Sequence, residues 1–206
     1  MKIICVARNY SEHAREMNNP VPEDPVIFLK PDTALLKEDE PFTMPAFSTE
    51  IHYETEIVLK ISGTGKNILP GQSLSLVESV TVGIDFTARD IQNRSKQKGL
   101  PWETAKSFDG SAAVGKFLPL TGIPSFEKIT FRLDINGQTR QKGFTGDMIY
   151  PVDFLLTYIS KYFTLLPGDL VFTGTPAGVG RINESDLLEG FIGVNRLLLC
   201  RINSFR

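Results

Sequence analysis

Cysteine and histidine are scarce, with two of each in 206 residues. Cys5 and Cys200 lie near opposite ends of the chain and form no Cys-x-x-Cys pair, so neither a disulfide framework nor a thiolate metal site is indicated. A buried free thiol is expected at each position. Long apolar runs are also missing. The opening Ile3-Ile4-Cys5-Val6-Ala7 is shorter than a signal-peptide core and meets Arg8 at once, which predicts a cytoplasmic protein without a membrane partner. Charge of one sign is lacking as well: 22 Lys and Arg against 24 Asp and Glu give a net −2, too weak a field to recruit nucleic acid or an anionic lipid surface. Glycine-rich "FTGTPAGVG", residues 172–180, lacks the Gly-x-x-x-x-Gly-Lys-Ser/Thr spacing of a phosphate loop and reads as a tight turn after a strand. No repeat, low-complexity tract or interdomain linker is present, and the length predicts one domain over 1–206.

What is present is mostly β-forming. Short runs rich in β-branched and aromatic residues recur at 2–6, 25–29, 51–61, 79–86, 113–118, 129–136, 138–144, 170–173 and 193–203. Asn136-Gly137 between two of them is a strong hairpin turn. Helical signals are fewer, at about 10–18, 72–78, 88–98 and 151–163. The last opens on Pro151 and spaces Val152, Leu155, Leu156, Ile159 and Phe163 along one helical face. The prolines in 18–25 predict a loop. Strands and helices do not alternate regularly, so the pattern predicts an α+β fold of antiparallel or mixed sheets.

Within 51–61, period-two alternation puts Ile51, Tyr53, Thr55, Ile57, Leu59 and Ile61 on one face and His52, Glu54, Glu56, Val58 and Lys60 on the other. Glu54 and Glu56 are therefore neighbours, which fits either a wet strand face or an oxygen-ligand site. Asp85 occupies the interior of a second strand run, "VTVGIDFTARD", where aspartate is disfavoured and wants a reason. The three carboxylates together would suit Mg²⁺, Mn²⁺ or Ca²⁺ better than zinc. His13 lies in "RNYSEHAREM", where Asn9 can cap a helix with Glu12 in the capping-box position. That register stands His13 and Glu16 one turn apart, as either a surface pair or an oriented general base. Thr87 and Asp90 mark another helix start, Gly99 its stop, and the charges between them read as a solvated face. Lys106 in "WETAKSF" reads by default as a surface lysine.

Taken in order, "RNYSEHAREM", "HYETE", "GIDFTARDIQ", "GLPWETAKSF", "INGQTRQ" and "LVFTGTPAGVG" resemble the fumarylacetoacetate hydrolase superfamily, in particular its single-domain acylpyruvate hydrolases and oxaloacetate decarboxylases. The resemblance implies a β-rich roll of stacked sheets, usually a homodimer, with Glu54, Glu56 and Asp85 holding Mg²⁺ or Mn²⁺, and Ca²⁺ as a possible substitute. It implies that His13 and Glu16 activate water on a lid helix and that Lys106 is catalytic. It further implies that Arg8, Arg89, Gln92, Gly174 and Thr175 contact a small 2-oxo acid. Ala7 stands where relatives commonly carry glycine, a departure of one methyl group beside the lid. Hydrolysis of an acylpyruvate is the first expectation. Decarboxylation of oxaloacetate, or enol–keto isomerisation of a 2-oxo diacid, on the same metal site is the alternative. A non-catalytic module holding Ca²⁺ for stability is the third reading.

Overall fold

The computed structural model describes residues 1–17, 20–36, 40–123 and 125–204. In chain order its early strands are β1 (Ile3–Ala7), β2 (Val26–Lys30), β3 (Phe42–Thr43), β4 (Ile51–Tyr53), β5 (Thr55–Ile61), β6 (Val77–Asp85) and β7 (Thr87–Ala88). Then follow β8 (Ala112–Val114), β9 (Leu118–Pro119), β10 (Thr130–Ile135), β11 (Gln138–Phe144), β12 (Leu170–Phe172), β13 (Gly180–Arg181), β14 (Leu187–Ile192) and β15 (Asn195–Asn203). The α-helices are α1 (Ser11–Glu16), α2 (Arg89–Lys98), α3 (Glu103–Lys106) and α4 (Val152–Tyr162). This is the β-rich α+β roll expected.

A seven-stranded sheet runs β2-β1-β12-β5-β6-β8, with β9 also on β6. It is mixed, because β1 and β12 pair in parallel while the other pairings are antiparallel. Its two ends curl toward each other: Leu35, just beyond β2, bridges Ala112 on β8, and the Leu36 N–H donates to the Ala112 carbonyl at 2.9 Å. A five-stranded sheet, β11-β10-β14-β15-β3, and a small sheet, β13-β4-β7, complete the roll. Alternation divides the large sheet's side chains. Ile57, Leu59, Ile61, Val80, Val82 and Ile84 face a large core shared with Phe131, Leu133 and Leu188 of the five-stranded sheet and with Leu155, Leu156 and Ile159 of α4. Ile3, Cys5, Val58, Ala112, Leu170 and Phe172 fill a smaller core on the opposite face, inside the curl.

Several expectations need adjustment. The expected strand over 51–61 breaks at Glu54, which lies between β4 and β5. The expected helix over 72–78 is one 3₁₀ turn, Ser73–Leu76, because Val77 already pairs with Ile61 at the start of β6. β14 was not foreseen, since Gly190 interrupts its alternation. The hairpin at Asn136-Gly137 is present, with φ of 52° and 75° as its tight turn requires. Both cysteines are buried free thiols. Residue 18 of the first expected helix and residues 18–19 of the expected loop lie outside the described residues. Among the described residues no helix is long and apolar enough to cross a membrane.

Candidate active site

The site forms where β1 and β12 end, β5 begins and β6 stops. Antiparallel pairing of β5 with β6 sets Glu56 opposite Gly83, and the Asp85 N–H donates to the Glu54 carbonyl at 2.8 Å. The two strands whose adjacency the sequence could not reveal are thus direct neighbours. One carboxylate oxygen each from Glu54, Glu56 and Asp85 lies within 4.8 Å of the others, and all three residues are buried. Asp85 in a strand interior has its reason: it completes this cluster.

Cations interleave with the carboxylates. Lys106, at the end of α3, is buried rather than on the surface, and its ammonium donates to Glu54 Oε2 at 2.8 Å, Asp85 Oδ2 at 2.7 Å and Thr87 Oγ1 at 2.6 Å. Arg89, in the first turn of α2, donates to Glu54 Oε1 at 2.5 Å and to Gln92 Oε1 at 2.6 Å. Burial would push the Glu54 carboxyl up, but Lys106 and then Arg89 hold it well below the usual range. Burial would likewise lower Lys106, yet Asp85 and Glu54 keep it above the ordinary lysine value. Glu56 differs. Burial, then the like charges of Asp85 and Glu54, raise its carboxyl well above the usual range, against the Gly174 N–H and Lys106. Among the described residues no cation forms an ion pair with it. A buried oxygen-rich cluster in which one carboxyl has no cation paired with it fits a hard divalent cation.

Lys30 was missed by the sequence reading. It ends β2 before a proline, a position that reads as exposed, yet its side chain is 0% accessible and its ammonium lies 2.8 Å from Asp85 Oδ1. It also donates to Ser111 Oγ at 2.9 Å and to the Lys106 carbonyl. The one available signal is that Lys30 shares a strand face with Phe28, which lines the cleft.

Most of the other expected residues are brought to one cleft, whose lining includes Arg8, His13, Glu54, Glu56, Asp85, Arg89, Gln92, Lys106 and Thr175, while Glu16 and Gly174 reach it through their hydrogen bonds to His13 and Glu56. His13, on α1, places Nδ1 3.2 Å from Glu16 Oε2, while Glu16 Oε1 accepts from the Gly178 N–H at 3.0 Å. Asn9 does not cap this helix. Its amide donates to the carbonyls of Tyr150 and Thr173, and its Oδ1 accepts from the Tyr150 N–H, so it ties three loops together instead. α2 likewise starts without a side-chain cap. Thr87 serves Lys106, and Asp90 accepts from Ser48 Oγ at 2.6 Å and the Thr49 N–H at 3.1 Å. His52 pairs with Glu50 at 2.9 Å, not with Glu54.

Gly174 has φ of 105°, and a Cβ there would come within 2.6 Å of Asn9 Cβ, so only glycine lets its N–H donate to Glu56 Oε2 at 2.6 Å. The Thr175 hydroxyl donates to the Thr55 carbonyl at 2.9 Å and accepts from Gln141 at 2.9 Å. Both groups therefore serve the protein's own carbonyl and carboxylate in this structure.

Comparison with known proteins agrees with this geometry. A family model described as fumarylacetoacetate (FAA) hydrolase C-terminal matches residues 2–194. The chain is 42% identical over 190 residues to the mitochondrial oxaloacetate tautomerase FAHD1 of Mus musculus, covering 92% of this chain and 86% of that protein. It is 40% identical over 190 residues to the oxaloacetate tautomerase YcgM of Escherichia coli (strain K12), covering 91% and 86%. The crystal structure of fumarylpyruvate hydrolase from Pseudomonas aeruginosa, in complex with Mn²⁺ and pyruvate, superposes with a TM-score of 0.93 at 36% identity, covering 100% of this chain and 90% of that one. A fumarylacetoacetate hydrolase family protein from Yersinia pestis CO92 gives 0.94 at 37% identity, covering 98% and 92%.

Proposed function

Because the chain belongs to the fumarylacetoacetate hydrolase family, we propose that it is a divalent-metal enzyme of 2-oxo acids whose main reaction is the enol–keto tautomerisation of oxaloacetate. The observation that carries this reading is the buried Glu54–Glu56–Asp85 cluster sharing one cleft with His13 and Lys106. The oxaloacetate tautomerases at 40% and 42% identity favour it over the acylpyruvate hydrolysis expected first.

Glu54, Glu56 and Asp85 would hold Mg²⁺ or Mn²⁺. When bound, the cation supplies Lewis-acid stabilisation of negative charge developing on the 2-oxo oxygen of the substrate. Tautomerisation moves one proton between C3 and that oxygen. His13 has Nδ1 engaged by Glu16, so Nε2 is the nitrogen left to take or return the C3 proton. Lys106 adds a fixed positive charge in a site shielded from water, where it acts more strongly than in bulk solvent. Arg89 and Gln92 brace each other, and Arg89 braces Glu54.

The His13–Glu16 pair also supports a second reading, hydrolysis of an acylpyruvate through a water activated at Nε2, an activity in keeping with the fumarylpyruvate hydrolase of similar structure. The two separate by assay. Decay of the ultraviolet absorbance of enol-oxaloacetate should accelerate with the Mn²⁺-loaded protein, fail after chelation, and slow about 100-fold or more in His13→Ala. Pyruvate release from acetylpyruvate should be the slower activity. Equal decay with and without protein would overturn the tautomerase reading, and unchanged rates in His13→Ala would remove the role given to that residue. The proposal includes a homodimer, one catalytic domain over 1–206 and a cytoplasmic setting, tested by light scattering, limited proteolysis and cell fractionation.

A further inference from the structure

Lys96 belongs to the charge run that reads as a solvated face of α2, yet it lines the same cleft as the carboxylate cluster, together with Arg8 and Trp102. Its ammonium lies 5.6 Å from the centroid of the Trp102 ring, and the Arg8 guanidinium lies 5.9 Å from the same centroid. Two like charges thus share one aromatic platform. Their neighbours Arg89, Lys106 and Lys30 each form an ion pair with a cluster carboxylate. Among the described residues, neither Arg8 nor Lys96 does. Arg8 also holds a left-handed backbone conformation, φ 58°, rarely adopted by a non-glycine residue, and Asn9 beside it is pinned by three hydrogen bonds.

We propose that Lys96 and Arg8, set against Trp102, form a second anion subsite that selects 2-oxo acids carrying a distal carboxylate. The inference rests on the 2-oxo acid reading above and names the class of substrate: dianions rather than acylpyruvates with a neutral tail. The charge balance of the cleft favours it. Arg8, Arg89, Lys96 and Lys106 already outnumber Glu54, Glu56 and Asp85 along its lining, and a divalent cation adds to the excess. One substrate carboxylate leaves that excess standing, and a second reduces it. Burial first, then Arg89 and Arg8, bring Lys96 down to about 8, and a bound anion would offset the part that the two arginines contribute.

Trp102 is the single tryptophan, so its fluorescence reports occupancy of the subsite without turnover. The Mn²⁺-loaded protein is titrated with 2-oxoglutarate and with 2-oxopentanoate, which share a five-carbon 2-oxo acid frame and differ in the distal carboxylate. The dianion should bind at least tenfold more tightly. Lys96→Met and, independently, Arg8→Gln should each reduce that ratio about tenfold, and Lys96→Arg should restore most of it. In steady state Lys96→Met should raise the KM for oxaloacetate with kcat changed far less. Equal affinity of the parent for the two acids, or variants that weaken both acids alike, would overturn the subsite while leaving the 2-oxo acid reading in place. A parent that binds neither acid, and does not turn over oxaloacetate, would overturn both.

Discussion

The two faces of β5 and β6 make an instructive contrast. On one, Ile57, Leu59, Val80, Val82 and Ile84 meet a hydrocarbon core, where each buried side chain adds stability in proportion to its area and a lost methylene leaves a cavity. On the other, Asp85 meets Lys106 and Lys30, and Glu56 lies beside it without an ion pair of its own, all four buried. There the desolvation cost and the Coulomb gain nearly cancel, so the whole cluster adds little, but removing one partner of an ion pair exposes the cost of the charge left behind. The apolar face holds the protein up, and the charged face holds a geometry ready for chemistry.

The largest effect should come from the charged face. Lys30→Met leaves Asp85 with one cation fewer and should cost about 4 kcal/mol in urea unfolding. Leu59→Ala, on the apolar face, should cost about 3 kcal/mol by opening a cavity, and the rise in Tm on adding Mn²⁺ should persist. Equal insensitivity of both variants would dissolve the contrast. Glu56→Gln should act in the opposite direction, stabilising the metal-free protein by about 1 kcal/mol because it removes a crowded anion, while abolishing the Mn²⁺-dependent rise in Tm. A wild-type Tm unmoved by Mn²⁺ would argue against a cation there at all.

The smallest effect belongs outside both faces. Asp90 is held below the ordinary aspartate value: partial burial works against this, but hydrogen bonds from Ser48 and the Thr49 and Ile91 amides outweigh it. A carboxyl depressed in the folded state adds stability above its unfolded pKa, near about 4, and loses it as pH falls through the folded pKa. Asp90→Asn should therefore cost only about 0.5 kcal/mol around neutral pH, given its partial exposure to solvent, and the gap from wild type should close as pH falls through the depressed folded pKa.

What the sequence could and could not reveal follows the range of the interactions. Asn136-Gly137 and Pro151 act through their own backbone angles, and the hairpin and α4 are where the sequence places them. Glu54, Glu56 and Asp85 were legible because alternation placed two on one face and aspartate was out of place in the other strand. Lys30, Lys96 and Trp102 were not, because each acquires its meaning from a partner brought near by the curl of the sheet or the packing of α2. Lysine in particular carries no local mark of burial, since its stem suits either environment. Asn9 misled for the related reason that an asparagine side chain serves a distant loop as readily as its own helix end.

The parallel pairing of Ile3 with Leu170 has a consequence for biosynthesis. A nascent chain emerging from the ribosome can join its first two strands early. The second partner of that first strand, however, is encoded more than 160 residues downstream. That strand therefore waits, half paired, until β12 has been made. Shielding by chaperones during that interval would raise the yield of folded protein.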